Sequence, residues 1–108
     1  MEKREVVFSP EAQDDLLHLY DYIAVRSGPV RSIGYIERLE RYCLGFDLAA
    51  ERGTRRDDIR PGLRIVGFER RVTIAFHVEP KRVTIDRILY GGRDLKTALN
   101  PSGERRAR

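Results

Sequence analysis

From Arg60 to Leu95 the chain reads RPGLRIVGFERRVTIAFHVEPKRVTIDRILYGGRDL, three short strands in succession. Leu63-Arg64-Ile65-Val66 is the first. From Arg71 to Val78 apolar and polar residues alternate, with Val72, Ile74, Phe76 and Val78 on one face and Thr73, Ala75 and His77 on the other. Glu79-Pro80-Lys81 makes a turn, Val83 to Leu89 returns as the next strand, and Gly91-Gly92 breaks it. A three-strand meander of this kind needs an apolar layer over one face.

The residues before it supply that layer. Val6-Val7-Phe8 is a short β-prone run, followed by Ser9-Pro10, an N-cap hydroxyl and a proline at the first helical position. Ala12, Leu16, Leu19, Tyr20 and Ile23 then repeat at helical spacing until Gly28-Pro29 stops the helix. A second helix is expected from Val30 to Ala50, with Ile33, Ile36, Leu39, Cys43 and Phe46 on one face. Glu51 to Pro61 reads as a loop, and Leu95 to Leu99 as one more helical turn. The expectation is an α+β fold: an N-terminal strand, an antiparallel helical hairpin packed on a small antiparallel sheet, and a short C-terminal helix. Leu16, Ile23, Ile36, Leu39, Phe46, Ile74 and Phe76 should share one core. Residues 1–99 form one domain on this reading, and 100–108 a mobile basic tail.

At 108 residues such a chain can bury a core unaided. It contains no apolar run of membrane-spanning length and no signal-peptide core, so a cytoplasmic location is the default expectation. Cys43 is the single cysteine, at an apolar helical position, and reads as a buried, unreactive thiol. Charge is uneven. Residues 1–50 carry six Lys/Arg against nine Asp/Glu, or −3, and residues 51–108 carry fifteen against eight, or +7. A basic sheet half attracts nucleic acid, ribosomes or an acidic protein, and charge alone does not choose among them.

Few residues suggest chemistry. Asp14 and His18 stand one helical turn apart and read as an exposed electrostatic pair; nothing matches zinc-ligand spacing, so no metal or cofactor is expected. Asp14, Asp15 and Asp21 are explained as well by solvation and the helix dipole as by acid catalysis. Ser9, Ser27 and Ser32 lack a base close in sequence and read as caps. Arginine alone is concentrated: Arg52, Arg55, Arg56 and Arg60 on the loop, Arg64 on the next strand, Arg70 and Arg71 at the hairpin, and Arg82, Arg87 and Arg93 flanking or within the last strand. Such a set can grip phosphate or carboxylate. With Tyr90 it could also serve a metal-free ribonuclease. For Arg87, in mid-strand, internal pairing with Asp86, Asp94 or a helix carboxylate is the favoured account.

Ser9-Pro10-Glu11-Ala12, Asp21-Tyr22-Ile23-Ala24, Arg60-Pro61-Gly62-Leu63-Arg64, Ala75-Phe76-His77-Val78 and Arg87 to Leu95, in this order and spacing, resemble the ParE toxins of the ParE/RelE superfamily. The resemblance spans Val6 to Leu95. It implies a curved, mainly antiparallel sheet, and a toxin of a type II toxin–antitoxin system of the kind used in plasmid stabilisation. It further implies inhibition of DNA gyrase and neutralisation by a wrapping, ParD-like antitoxin in a hetero-oligomeric complex. RelE relatives instead cut messenger RNA on the ribosome, using strand arginines, an arginine after the last strand and a C-terminal tyrosine. Arg93 matches the post-strand arginine and Arg64 could serve on its strand, but Thr73 and Leu99 stand where the other arginine and the tyrosine would be. The gyrase reading leads, with no catalytic residue expected. Arg64, Tyr90 and Arg93 are catalytic only under the ribonuclease alternative, and a third reading is a non-toxic antitoxin-binding relative. Arg55, Arg56, Arg60 and Arg64 are the expected antitoxin contacts. Tyr90, Arg93 and Leu95 are the expected target contacts, within an exposed segment from Tyr90 to Leu99.

Overall fold

The Ser9 hydroxyl accepts from Ala12 N at 3.0 Å and Pro10 occupies the first turn, so helix α1 (Pro10–Ser27) starts where the sequence places it. Gly28 ends it with φ of 92°, a backbone region that glycine enters without penalty. Pro29 then opens α2 (Pro29–Leu44). Ser32 does not cap this helix; its buried hydroxyl donates to the Tyr20 carbonyl at 2.7 Å and ties the hairpin together. The computed structural model describes residues 3–91 and 94–99. The proposed mobile tail, 100–108, lies outside them.

The second helix is shorter than its periodicity suggests. It ends at Leu44, because the Gly45 N–H closes the last turn and a single 3-10 turn, Gly45–Asp47, follows. That tightening drives Phe46 into the core, its ring 4.7 Å from that of Phe76. The stretch from 51 to 61 is not wholly loop either. Thr54–Arg55 forms a two-residue strand, β2, beside β3 (Leu63–Phe68). Gly53 permits the approach: a Cβ there would stand 2.1 Å from the Ile65 carbonyl oxygen.

Strands β3, β4 (Val72–Glu79) and β5 (Arg82–Tyr90) form the meander, and β1 (Glu5–Phe8) adds to β5 in parallel. The sheet order is β1-β5-β4-β3-β2. Val72, Ile74 and Phe76 face the helices and share a core with Leu16, Leu39 and Phe46, against which Ile23 and Ile36 pack partly buried. Ile33, expected in the stripe, stays 48% exposed. The alternate face carries Leu63 and Ala75, covered by the short helix α3 (Leu95–Leu99) through Leu95 and Leu99. The sheet is therefore buried on both sides, unequally.

Two irregularities shape its ends. Ala75 pairs with Arg87 and Phe76 with Ile85, so Asp86 is the extra residue of a β-bulge. At the other end, Glu69 and Arg70 form the β3–β4 turn with φ of 48° and 63°. Hairpin turns favour Asn-Gly in that backbone region, and non-glycine residues there cost about 1–2 kcal/mol each. The Arg38 guanidinium holds Glu69 in place with two bonds of 3.0 and 3.1 Å.

Candidate functional site

The expected antitoxin arginines gather around β2 and β3, whereas of the expected target contacts Tyr90 lies at the far end of β5 and Leu95 packs close to Leu63 and Ile59. Pairing of β2 with β3 sets Arg55 directly opposite Arg64, and Arg56 and Arg60 follow on the connecting segment. All four are already engaged. Arg55 grips Asp57 at 3.0 and 3.1 Å, and Arg56 grips Asp58 at 2.9 and 3.0 Å. The Arg55 bond, with the Gly62 N–H added, holds the Asp57 carboxyl below the usual carboxylate range. The Arg56 bond does the same for Asp58. Arg60 donates to the Leu99 carbonyl at 2.7 Å, and Arg64 to the Arg52 carbonyl at 3.3 Å. Each i, i+2 arginine–aspartate pair is solvated and contributes little to stability. A partner's carboxylates must compete with Asp57 and Asp58 for these forks.

The second group does not form one exposed surface. Tyr90 packs on the helix side, its ring 4.9 Å from that of Tyr22, and accepts from Arg71 at 3.4 Å. Leu95 belongs to the small core on the opposite face, and Leu99 is 7% exposed. The expectation of exposure from Tyr90 to Leu99 is corrected on this point: covering Leu63 and Ala75 requires the apolar side of α3. Arg93 lies outside the described residues.

Arg87 and Asp15 answer a different need. Beyond Phe8 the β1 strand ends, leaving the β1-side edge of the upper part of β5 unpaired, and α1 fills the gap. Asp15 accepts from the Ile88 N–H at 2.8 Å and from the Arg87 guanidinium at 2.8 and 2.9 Å. A further Arg87 N–H reaches the Ala98 carbonyl at 2.7 Å, so one guanidinium joins helices from both faces of the sheet. Asp15 is thus buried and structural, not a solvated dipole carboxylate. For Arg87, the helix carboxylate is the partner among those considered.

His77 Nδ1 lies 2.8 Å from an oxygen of Asp86, the bulge residue. Burial pushes the Asp86 carboxyl above the usual range, against the opposing pull of His77 and Arg60. A carboxyl that holds its proton more tightly when folded favours the fold most below its unfolded pKa of about 3.9, and this contribution is lost as pH rises through the higher folded value. Asp86→Asn is therefore expected to raise the melting temperature at neutral pH and to change it little near pH ~3. A variant less stable than wild type at neutral pH would contradict this account.

Asp14 and His18 are both exposed, and no group of three or more His, Cys, Asp or Glu side chains able to hold a metal occurs among the described residues. Burial pushes the Cys43 thiol up to about 12, which makes it inert. No helix among the described residues is long and apolar enough to cross a membrane.

The chain matches a known class. The family model for the ParE toxin of type II toxin–antitoxin systems, parDE, matches residues 6–95. The chain belongs to the ParE toxin family. Among solved structures it is similar to the chromosomal ParDE toxin–antitoxin system from P. aeruginosa, with a TM-score of 0.72 and 24% identity. The match covers 82% of this chain and 97% of that one, a likeness of fold. No curated protein matches the chain.

Proposed function

We propose that the protein is a toxin that inhibits DNA gyrase and is neutralised by a cognate antitoxin. Membership of the ParE family supports the class, and one structural observation favours gyrase over RNA cleavage. Arg64 pairs with Phe76 of β4 and Tyr90 with Val72, four residues apart along that strand, or about 13 Å at strand rise. To meet at one scissile phosphate, both side chains would have to reach fully across that gap. Leu99 is packed in the lesser core and offers no proton-transfer group, and Arg87 is committed to Asp15. Losing one convergent donor already costs such a reaction about a hundredfold or more.

Antitoxin binding falls to the β2–β3 end, at Arg55, Arg56, Arg60 and Arg64, and target binding to Tyr90, Arg93 and Leu95. The antitoxin segment brings carboxylates for the rim arginines and apolar anchors for the adjoining groove between Tyr42, Leu48 and Val66. Replacing Arg55, Arg56 and Arg60 together by glutamine should weaken antitoxin affinity and flatten its salt dependence. Calorimetry showing neither change would remove the electrostatic part of this assignment.

The function is tested by giving antitoxin-free protein to a gyrase supercoiling reaction and, separately, to messenger-programmed ribosomes. Loss of supercoiling with intact message is expected. Defined cuts in the message with unimpaired supercoiling would refute the gyrase reading and make Arg64, Tyr90 and Arg93 catalytic candidates.

A further inference from the structure

At the end of the sheet far from β2, the β3–β4 turn and the last residue of β5 meet the C-terminal turn of α1. Tyr22, Arg26, Tyr35, Glu69, Arg71 and Tyr90 line an open cavity of about 360 Å³ there. The Arg26 guanidinium lies over the Tyr22 ring, 3.5 Å from its centroid, and Arg71 reaches the Tyr90 hydroxyl. Neither arginine has a carboxylate partner among the described residues, unlike Arg55 and Arg56. Glu69, the carboxylate in the wall, is taken by Arg38. The Tyr35 hydroxyl is buried at this wall without a hydrogen-bond partner among the described residues. Two guanidinium groups without carboxylate partners among the described residues, together with phenol hydroxyls and aromatic rings, make a receptor for a single oxyanion.

The surroundings choose its source. A nucleic acid would carry further phosphates past the cavity onto a helical hairpin where Asp14, Asp21 and Glu37 are exposed, in the half of the chain that carries net negative charge. A lone carboxylate meets no such repulsion. Val25 and Val30, each 83% exposed, flank the interhelical turn beside Arg26 and Ser27 and offer an apolar seat next to the anion site. The strained Glu69-Arg70 turn, kept where Asn-Gly would relax it, is what delivers Arg71 to the wall.

We propose that this cavity receives an aspartate or glutamate side chain of the inhibited target, with a neighbouring apolar residue settling on Val25 and Val30. The proposal rests on the reading that gyrase is the target and deepens the role of Tyr90 in it. Arg26 and Arg71 join Tyr90 as target contacts, while the antitoxin arginines occupy the other end of the sheet.

The test is a supercoiling titration with antitoxin-free protein carrying Arg26→Gln and Arg71→Gln together, with Arg71→Lys and with Arg41→Gln, an exposed arginine outside the cavity, as control. The double variant should need at least ~tenfold more protein for half-inhibition, the loss expected for charge-assisted hydrogen bonds. Arg71→Lys should fall between it and wild type, and Arg41→Gln should match wild type. Melting temperature and antitoxin affinity should not move. If the double variant proves less stable, the two single substitutions are read in its place. Undiminished inhibition by the cavity variants overturns the assignment while leaving the gyrase reading intact. A parallel loss of antitoxin affinity, or of DNA retention in a filter assay, assigns the cavity to that ligand and also overturns it. Wild-type protein that fails to inhibit gyrase refutes the parent reading, and the assigned occupant with it.

Discussion

Asp15→Ala should destabilise the protein by about 3–5 kcal/mol, the cost of leaving a buried charge without its partner. Asp15 and Arg87 have side chains 5% and 16% exposed, so water cannot replace the lost carboxylate at either bond. The substitution also strands the Ile88 N–H on the edge of β5 that β1 no longer pairs. Arg87 would keep only its bond to the Ala98 carbonyl. Asp15→Asn separates the two contributions, since an amide oxygen can still accept from Ile88 while the charge pairing is lost. It should fall between wild type and alanine in a urea titration. Equal midpoints for wild type and Asp15→Ala would show that α1 is not fastened to the sheet edge in this way.

Phe46→Ala is expected to cost about 3–5 kcal/mol, as large-to-small changes of buried aromatics do. Phe46 is fully buried between the end of α2 and the sheet, with Phe76 on one side and Tyr42, at 5.5 Å, on the other. The Arg52 guanidinium closes the site 4.7 Å from its ring. Because Gly45–Asp47 turns there only to seat this ring, the cavity left behind has little chain free to collapse into it. A loss of under about 1 kcal/mol would mean that the 3-10 turn repacks, contrary to the role assigned to it.

What the sequence disclosed follows from periodicity. The alternation from Val72 to Val78 and the stripe from Ala12 to Ile23 are set by local spacing, and they sufficed for the two-layer arrangement. Features that depend on long-range contacts were hidden. Arg87 meets Asp15 across 72 positions, and only the mid-strand location of Arg87 hinted at a buried partner. The end of α2 at Leu44 depends on Phe46 turning toward Phe76, which helical spacing cannot register. A signal for the bulge was present in β5, where the apolar positions Val83 and Ile85 are followed by Ile88 rather than by residue 87. The Tyr22, Arg26, Tyr35, Arg71 and Tyr90 cluster draws on α1, α2, the β3–β4 turn and β5 and has no linear pattern to betray it. The resemblance carried the functional class, while the pairing of Arg55 and Arg56 with their own aspartates is visible only in the fold.

The central claim is that toxicity comes from a stalled gyrase, and plasmid topology in cells reports on it most directly. The protein is induced without its antitoxin, and plasmid and messenger RNA are extracted within one generation. The account predicts relaxed or broken plasmid alongside full-length messages, both restored when the antitoxin is co-expressed. Normally supercoiled plasmid with messages cut at defined positions would contradict it.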